Sequence, residues 1–115
     1  MFTLNLTPLF WATVYFDLPA AEGLGRVTCS FQAQFPRMTT DELEAFGKQA
    51  EAGKWTDRQC AARLLRGWGE DLRDQSGNAL PFSEANLAQV LNTAGVGAAV
   101  VYAFRAAQPQ ASLGN

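Results

Sequence analysis

Trp68-Gly69-Glu70-Asp71-Leu72-Arg73-Asp74-Gln75-Ser76-Gly77-Asn78-Ala79-Leu80-Pro81-Phe82-Ser83 is the stretch whose reading decides the fold, because it lies between two helical patterns and must reverse the chain between them. Asp74 to Asn78 gathers residues that tolerate a positive φ or bond their own backbone, the chemistry of a tight turn. Leu72 on one side and Leu80 and Phe82 on the other are apolar arms, which predicts a short hairpin with Gly77 in a left-handed conformation. Pro81 has no amide to give to a ladder, so the second arm is short or at an edge. Ser83 offers its hydroxyl to the free amides of the helix that follows.

Upstream of this knuckle, Thr56 with Gln59 forms a capping-box signature. Cys60, Ala61, Leu64, Leu65 and Trp68 then make an apolar stripe that predicts a helix running to Trp68, with Arg58, Arg63 and Arg66 on the wet side. Further back, Thr39 and Glu42 repeat the signature ahead of Leu43, Phe46 and Ala50 at helical spacing. Asp41, Glu42 and Glu44 suit the positive end of that helix, and Gly53 stops it. Downstream, Ser83 opens a helix whose Leu87, Val90 and Leu91 face inward and which ends within residues 92–95. Val96, Ala99, Val100, Ala103 and Phe104 predict a last helix, poor in charge and therefore buried on most sides. The polar residues 108–115, with Pro109, read as a flexible tail.

The N-terminal third has a different period. Val27, Cys29, Phe31, Ala33 and Phe35 alternate with Thr28, Ser30, Gln32 and Gln34, which describes a strand with one buried and one wet face, ended by Pro36. Residues 3–17 read as a strand on β-branched and aromatic content, interrupted by Pro8, and residues 17–25 as a loop. The two strands suit an antiparallel hairpin. The first is apolar on both faces, so one face is free to meet another subunit or a partner. The fold class is α+β: an N-terminal antiparallel β-hairpin or small sheet, then about four helices, with the hairpin-like turn between the second and third. One domain covers 1–107, strand-rich over 1–36 and mainly helical over 39–107.

At 115 residues with 48% hydrophobic and 17% charged residues, the chain has the composition of a folded domain with a real core. Net charge is −2, from nine basic and eleven acidic residues scattered along the sequence. That argues against nucleic-acid binding driven by phosphate neutralisation, and leaves a protein partner open. The longest apolar run, Ala94 to Phe104, is shorter than the roughly 20 residues a membrane span needs. No Lys or Arg precedes Arg26, so the charged start of a secretory signal is missing and a cytoplasmic location is expected.

Chemistry has little to stand on. There is no histidine, which removes the commonest general base and the commonest metal ligand together. Glu70, Asp71 and Asp74 crowd the knuckle, but their spacing is not that of a calcium loop and Arg73 sits among them, so they read as a solvated turn. Ser30, Ser76 and Ser83 lack a nucleophile elbow and a base. Gly23-Leu24-Gly25 leads into a strand and has no Lys, unlike a phosphate loop. No catalytic residue, metal or cofactor is expected, and an enzyme is the weaker class. Cys29 and Cys60 read as buried reduced thiols, with a disulfide left open by sequence. Trp68 reads as core, Trp55 as a staple against Cys60, and Trp11 as the exposed aromatic. Arg63 and Arg66 fall on one helix face, first a solvated face and second a contact for an acidic partner.

The run Leu64-Leu65-Arg66-Gly67-Trp68, the Asp-containing turn with Gly77, and Leu80-Pro81-Phe82-Ser83 together resemble the tail assembly chaperones of long-tailed bacteriophages and their prophages. The resemblance continues through Leu87 and Leu91 to Gly95-Val96-Gly97 and Val101-Tyr102-Ala103-Phe104, covering roughly Leu64 to Ala107; Asn78-Ala79 stand where many relatives have Pro. It implies a non-catalytic protein of the host cytoplasm that binds the tape-measure protein, and in some relatives the major tail tube protein, during tail morphogenesis. Such relatives are absent from the mature virion. The reversible apolar surface such a job needs is often repeated by oligomerisation, which leaves a homo-oligomer open, while charge and apolar run length point to neither nucleic acid nor membrane as a partner. The rival reading is a virion structural protein such as a tail-completion or connector subunit. The residues expected to meet a partner are Leu9, Phe10, Trp11, Val14, Tyr15, Phe16, Arg63 and Arg66, with the charge-poor last helix as a second candidate surface.

Overall fold

The period-two run folds as expected into strand β2 (Arg26–Pro36), antiparallel to β1 (Leu9–Pro19) in one unbroken register from Leu9 opposite Pro36 to Pro19 opposite Arg26. The structure, a computed structural model, describes Leu4 and residues 7–109. Residues 3, 5 and 6 of the expected first strand, and all of the expected tail except Gln108 and Pro109, lie outside the described residues. β1 extends past its expected end at Asp17: Leu18 and Pro19 are strand, not loop, and the reversal is confined to residues 20–25. Asp17 is held there because Thr28 Oγ1, directly across the ladder, donates to its carboxylate at 2.7 Å.

Helix α1 (Thr40–Glu51) and helix α2 (Asp57–Leu64) both start with complete capping boxes, Thr39 with Glu42 and Thr56 with Gln59. Each box satisfies two amides that would otherwise lack partners. α2 stops one turn earlier than its apolar stripe implies. Leu65 is extended (ψ 129°), the Arg66 amide donates to Gln34 O at 2.8 Å, and Gly67–Trp68 form a third strand, β3. β3 pairs antiparallel with β2, Gly67 with Gln34 and Trp68 with Ala33, giving sheet order β1-β2-β3. Helical spacing and sheet pairing compete for the same residues here. The edge of β2 wins because it offers unsatisfied backbone groups at the point where α2 runs out of helical partners.

The knuckle has the predicted form. Arg73 and Ala79 make a single antiparallel bridge, the Leu80 amide donates to Leu72 O at 2.8 Å, and Gly77 has φ +83°. Asp74 Oδ1 accepts from the amides of Ser76 and Asn78, which fixes the turn. Three bonds tie the knuckle to the sheet: Trp68 Nε1 donates to Leu80 O at 2.6 Å, the Gly69 amide donates to Gln32 O at 2.9 Å, and the Gln32 amide donates to the Asp71 carboxylate at 3.1 Å. The Phe82 ring meets Trp68 edge-on, with centroids 4.7 Å apart. Helix α3 (Glu84–Leu91) follows, capped by Ser83 Oγ accepting from the Asn86 amide. A 99° turn then leads into helix α4 (Val96–Ala106).

α4 lies on the inner face of the sheet, over β1, with α2 alongside it. Val96, Val100, Val101 and Phe104 are buried in one cluster with Val14, Phe31, Phe35, Leu64 and Leu91. The Phe104 ring meets Phe10, Phe35 and Phe46 at centroid distances of 6.1, 5.5 and 6.3 Å. These tilted and edge-on arrangements suit aromatic quadrupoles.

At Gly97 the two helices approach closely: a Cβ there would stand 3.1 Å from Arg58 Cα and 3.2 Å from its nitrogen. A backbone neighbour cannot swing away as a side chain can. Gly97→Ala is therefore expected to destabilise the protein by about 1–3 kcal/mol, overpacking outweighing the gain in helix propensity. Gly47→Ala, on α1 with nothing within 4 Å, is expected to stabilise it by about 0.5–1 kcal/mol. Denaturant midpoints of the two variants, moving in opposite directions, check this.

Candidate protein-interaction surface

Alternation along β1 sorts the expected contact residues into two sets. Phe10, Ala12, Val14, Phe16 and Leu18 point inward, opposite Phe35, Ala33, Phe31, Cys29 and Val27. Val14 is fully buried and Phe10 is half-buried within the aromatic cluster, so both belong to the inner face, which corrects the reading that grouped them with Trp11. Phe16 is half-buried and meets the Phe31 ring at 6.1 Å. Leu9, Trp11, Thr13, Tyr15 and Asp17 point to the other face. There Trp11 is 54% and Tyr15 65% exposed, while Leu9 is half-buried. The second candidate surface, α4, is mostly committed to the core, leaving Tyr102 exposed on its far side.

The outer face is polar on one strand and aromatic on the other. Trp11, Thr13, Tyr15 and Asp17 stand opposite Gln34, Gln32, Ser30 and Thr28. Gln32 Nε2 donates to Thr13 Oγ1 at 2.8 Å, so the strip between the two aromatic rings is held by a cross-strand bond. No helix among the described residues packs on this face: the helices in contact with the sheet meet β1 through α4, on the inner side.

Both arginines expected on a binding face are engaged within the chain. The Arg63 guanidinium lies 4.2 Å from the centroid of Trp55, whose other neighbour is Phe46 at 5.3 Å. Arg66 is beyond the end of α2, and its guanidinium donates to the carbonyls of Arg63 and Leu65, closing the helix C-terminus. Its distance from the expected helix face follows directly from the early stop of α2.

An open hollow of about 390 Å³ lies between the hairpin, the knuckle and α3, lined by Phe16, Leu18, Phe31, Leu72, Leu80 and Val90 among others. Its wall is mainly apolar, with Arg73 and Asp74 at the knuckle. The knuckle carboxylates act within the fold: Asp71 receives the Gln32 amide and Asp74 fixes the turn. Among the described residues no group of three or more His, Cys, Asp or Glu side chains is placed to hold a metal ion. Among them, too, no single helix is long and apolar enough to cross a membrane.

Two features of this surface escape the sequence reading. β3 is hidden by the helical spacing of Trp68, although Gly67 and Gly69 on either side of it are a stop signal. The inward turn of Val14 and Phe16 follows from the register, which the apolar character of both faces of β1 leaves undecided. No protein-family model, curated protein or solved structure matches the chain.

Cys29 and Cys60 are both free. Cys60 is buried as expected, while Cys29 is only half-buried, on the projecting part of the hairpin. Burial pushes the Cys60 thiol up, Asp57 adds to the rise, and Arg105 and Arg63 oppose it. Maleimide labelling of the native protein should modify Cys29 first, with Cys60 at least about 100-fold slower because it waits on opening of the core. Equal rates would contradict the packing. A thiol whose pKa is raised on folding leaves stability intact below the unfolded value and removes it as pH climbs past that point. Stability is therefore expected to decline above about pH 8.5, and this part of the alkaline slope is expected to vanish in Cys60→Ala.

Proposed function

We propose that this chain is a non-catalytic tail assembly chaperone of a long-tailed phage or prophage, binding the tape-measure protein in the host cytoplasm and leaving the assembly before the virion is complete. The observation that carries the reading is the pair Trp11 and Tyr15, exposed on the uncovered face of a strand whose opposite face is built into the core. The resemblance of residues 64–107 supplies the class of client. A long helical client with apolar stripes needs a partner that covers those stripes reversibly. Large rings on a rigid strand do this at low cost in conformational entropy, and aromatic residues are enriched where proteins meet. α4 cannot serve in this role without dismantling the core, so the outer face of β1 is the surface assigned to the client. The Gln and Ser side chains of β2 between and beside the rings keep the face soluble when no client is present.

Trp11→Ser and Tyr15→Ser, alone and together, test the assignment in co-expression with a tape-measure protein. The double variant is expected to lose solubilisation of the client while its circular dichroism is unchanged and its stability stays within about 0.5 kcal/mol of the parent. Client solubility unaffected by both substitutions would remove the basis of the proposal. Mass spectrometry of purified particles separates it from the virion-subunit reading, since a chaperone leaves no copies there.

A further inference from the structure

Register and ladder alternation together fix which backbone groups of β1 are in use. The Arg37 amide donates to Pro8 O and the Ala20 amide to Gly25 O, so the pairs at both ends of the hairpin are hydrogen-bonded ones with even-numbered residues on the β1 side. Alternation then gives β2 the N–H and C=O groups of even-numbered β1 residues and turns those of Leu9, Trp11, Thr13, Tyr15 and Asp17 to the open edge. The other side of β2 is consistent: Gln34 O and Gln32 O accept from Arg66 and Gly69. β1 is an edge strand, and no backbone hydrogen bond among the described residues reaches its outer side. A flat run of this length is normally protected by Lys, Pro or a bulge. Here the only charge is Asp17 and the only proline facing the edge is Pro19, at the very end.

We propose that a second copy of this chain pairs with the open edge of β1, antiparallel about a two-fold axis at Thr13, joining two three-stranded sheets into one of six strands. The edge is complementary to itself in this register. Residues 9–17 overlap fully, and the odd-numbered residues supply about ten inter-copy hydrogen bonds. On the outer face Trp11 of each copy stands opposite Tyr15 of the other, an aromatic cross-strand pair, and Leu9 opposite Asp17. On the inner face Phe10 meets Phe16 and Ala12 meets Val14, where the non-hydrogen-bonded pairs bring side chains closest.

Charge placement favours the same register. The two Asp17 carboxylates, each already bonded to its own Thr28, lie at opposite ends of the new ladder, roughly 27 Å apart at the usual rise per residue. Pro19 lacks the amide needed to carry the pairing further, which bounds the overlap to the window centred on Thr13. α4 packs over β1, so the axis brings the two α4 helices alongside each other. The outer faces stay open, so the pairing doubles the aromatic surface without covering it, and it holds or fails independently of any client.

Thr13 faces its own copy across the axis, which makes the test specific. The full chain is expected to double its mass in sedimentation equilibrium as concentration rises through the micromolar range. Thr13→Lys and Thr13→Glu, each setting like charges face to face, are expected to weaken this dimer at least about tenfold. An equimolar mixture of the two is expected to restore it as a heterodimer. Thr13→Cys is expected to oxidise to a covalent dimer, since directly opposed hydrogen-bonded residues have Cα atoms about 5.5 Å apart, within disulfide reach; Trp11→Cys, facing Tyr15 instead, serves as the negative control. It keeps the test decisive if the charged variants fail to fold. A chain that stays monomeric throughout, a dimer that Thr13→Cys does not lock, or β1 amides protected from exchange only when a client is bound would each overturn the assignment, the last in favour of a client strand on the same edge.

Discussion

The structure depends on one packing constraint: α4 must lie flat against the inner face of the hairpin while α2 presses on its flank. Phe104 anchors the first requirement. Its ring touches Phe10 from β1, Phe35 from β2 and Phe46 from α1, so three elements distant in sequence share one contact. The hairpin alone would be marginal, since a two-stranded ribbon cannot bury a face by itself. With α4 seated, Val14, Phe31, Ala33 and Phe35 are withdrawn from water almost completely. Gly97 sets how near α2 can come, with only the backbone of Asp57 and Arg58 filling the space a side chain would take.

Seating α4 in this way dictates what remains outside. A strand has two faces and an edge, and once the inner face of β1 is covered by α4, its outer rings and its outward backbone groups have no partner within the described chain. The knuckle acts at the opposite edge. β3 occupies Gln34 and Ala33, and Asp71 takes the Gln32 amide, so this part of the β2 edge is closed while that of β1 stays open. The stretch from Trp68 to Ser83 therefore does more than reverse the chain, because it shields one side of the sheet and leaves the other available.

Much of this was legible because the signals are local. The capping boxes at Thr39 and Thr56, the cap at Ser83, the positive φ at Gly77 and the alternation from Val27 to Phe35 each depend on residues within a few positions of one another, and each appears as read. What was not legible depends on distant partners. The spacing of Leu64, Leu65 and Trp68 is helical, yet Arg66 and Gly69 find acceptors in β2, more than thirty residues back in the sequence. Moving Trp68 off the helix also moves Arg66, which is why the expected arginine face does not exist. Cys29 shares the buried parity of its strand, but the helices do not reach that end of the hairpin, so parity sets which way its side chain faces and not how deep it lies.

The candidate site was half legible for a related reason. Apolar residues on both faces of β1 announce that one face is surplus to folding without saying which, and the register decides it. Scattered exposed aromatics are ordinary on protein surfaces. Trp11 and Tyr15 are not scattered: they share a face of one strand, four residues apart, and the one side chain between them on that face, Thr13, is fixed by Gln32. Folding explains Phe10, Ala12, Val14 and Phe16 of β1 through their contacts with the core. It offers no comparable account of the two rings, which point away from the buried cluster, stay exposed and sit opposite polar partners. Rings held in fixed positions on a rigid strand are pre-organised to meet another apolar surface, and that pre-organisation is what distinguishes an interaction face from incidental exposure.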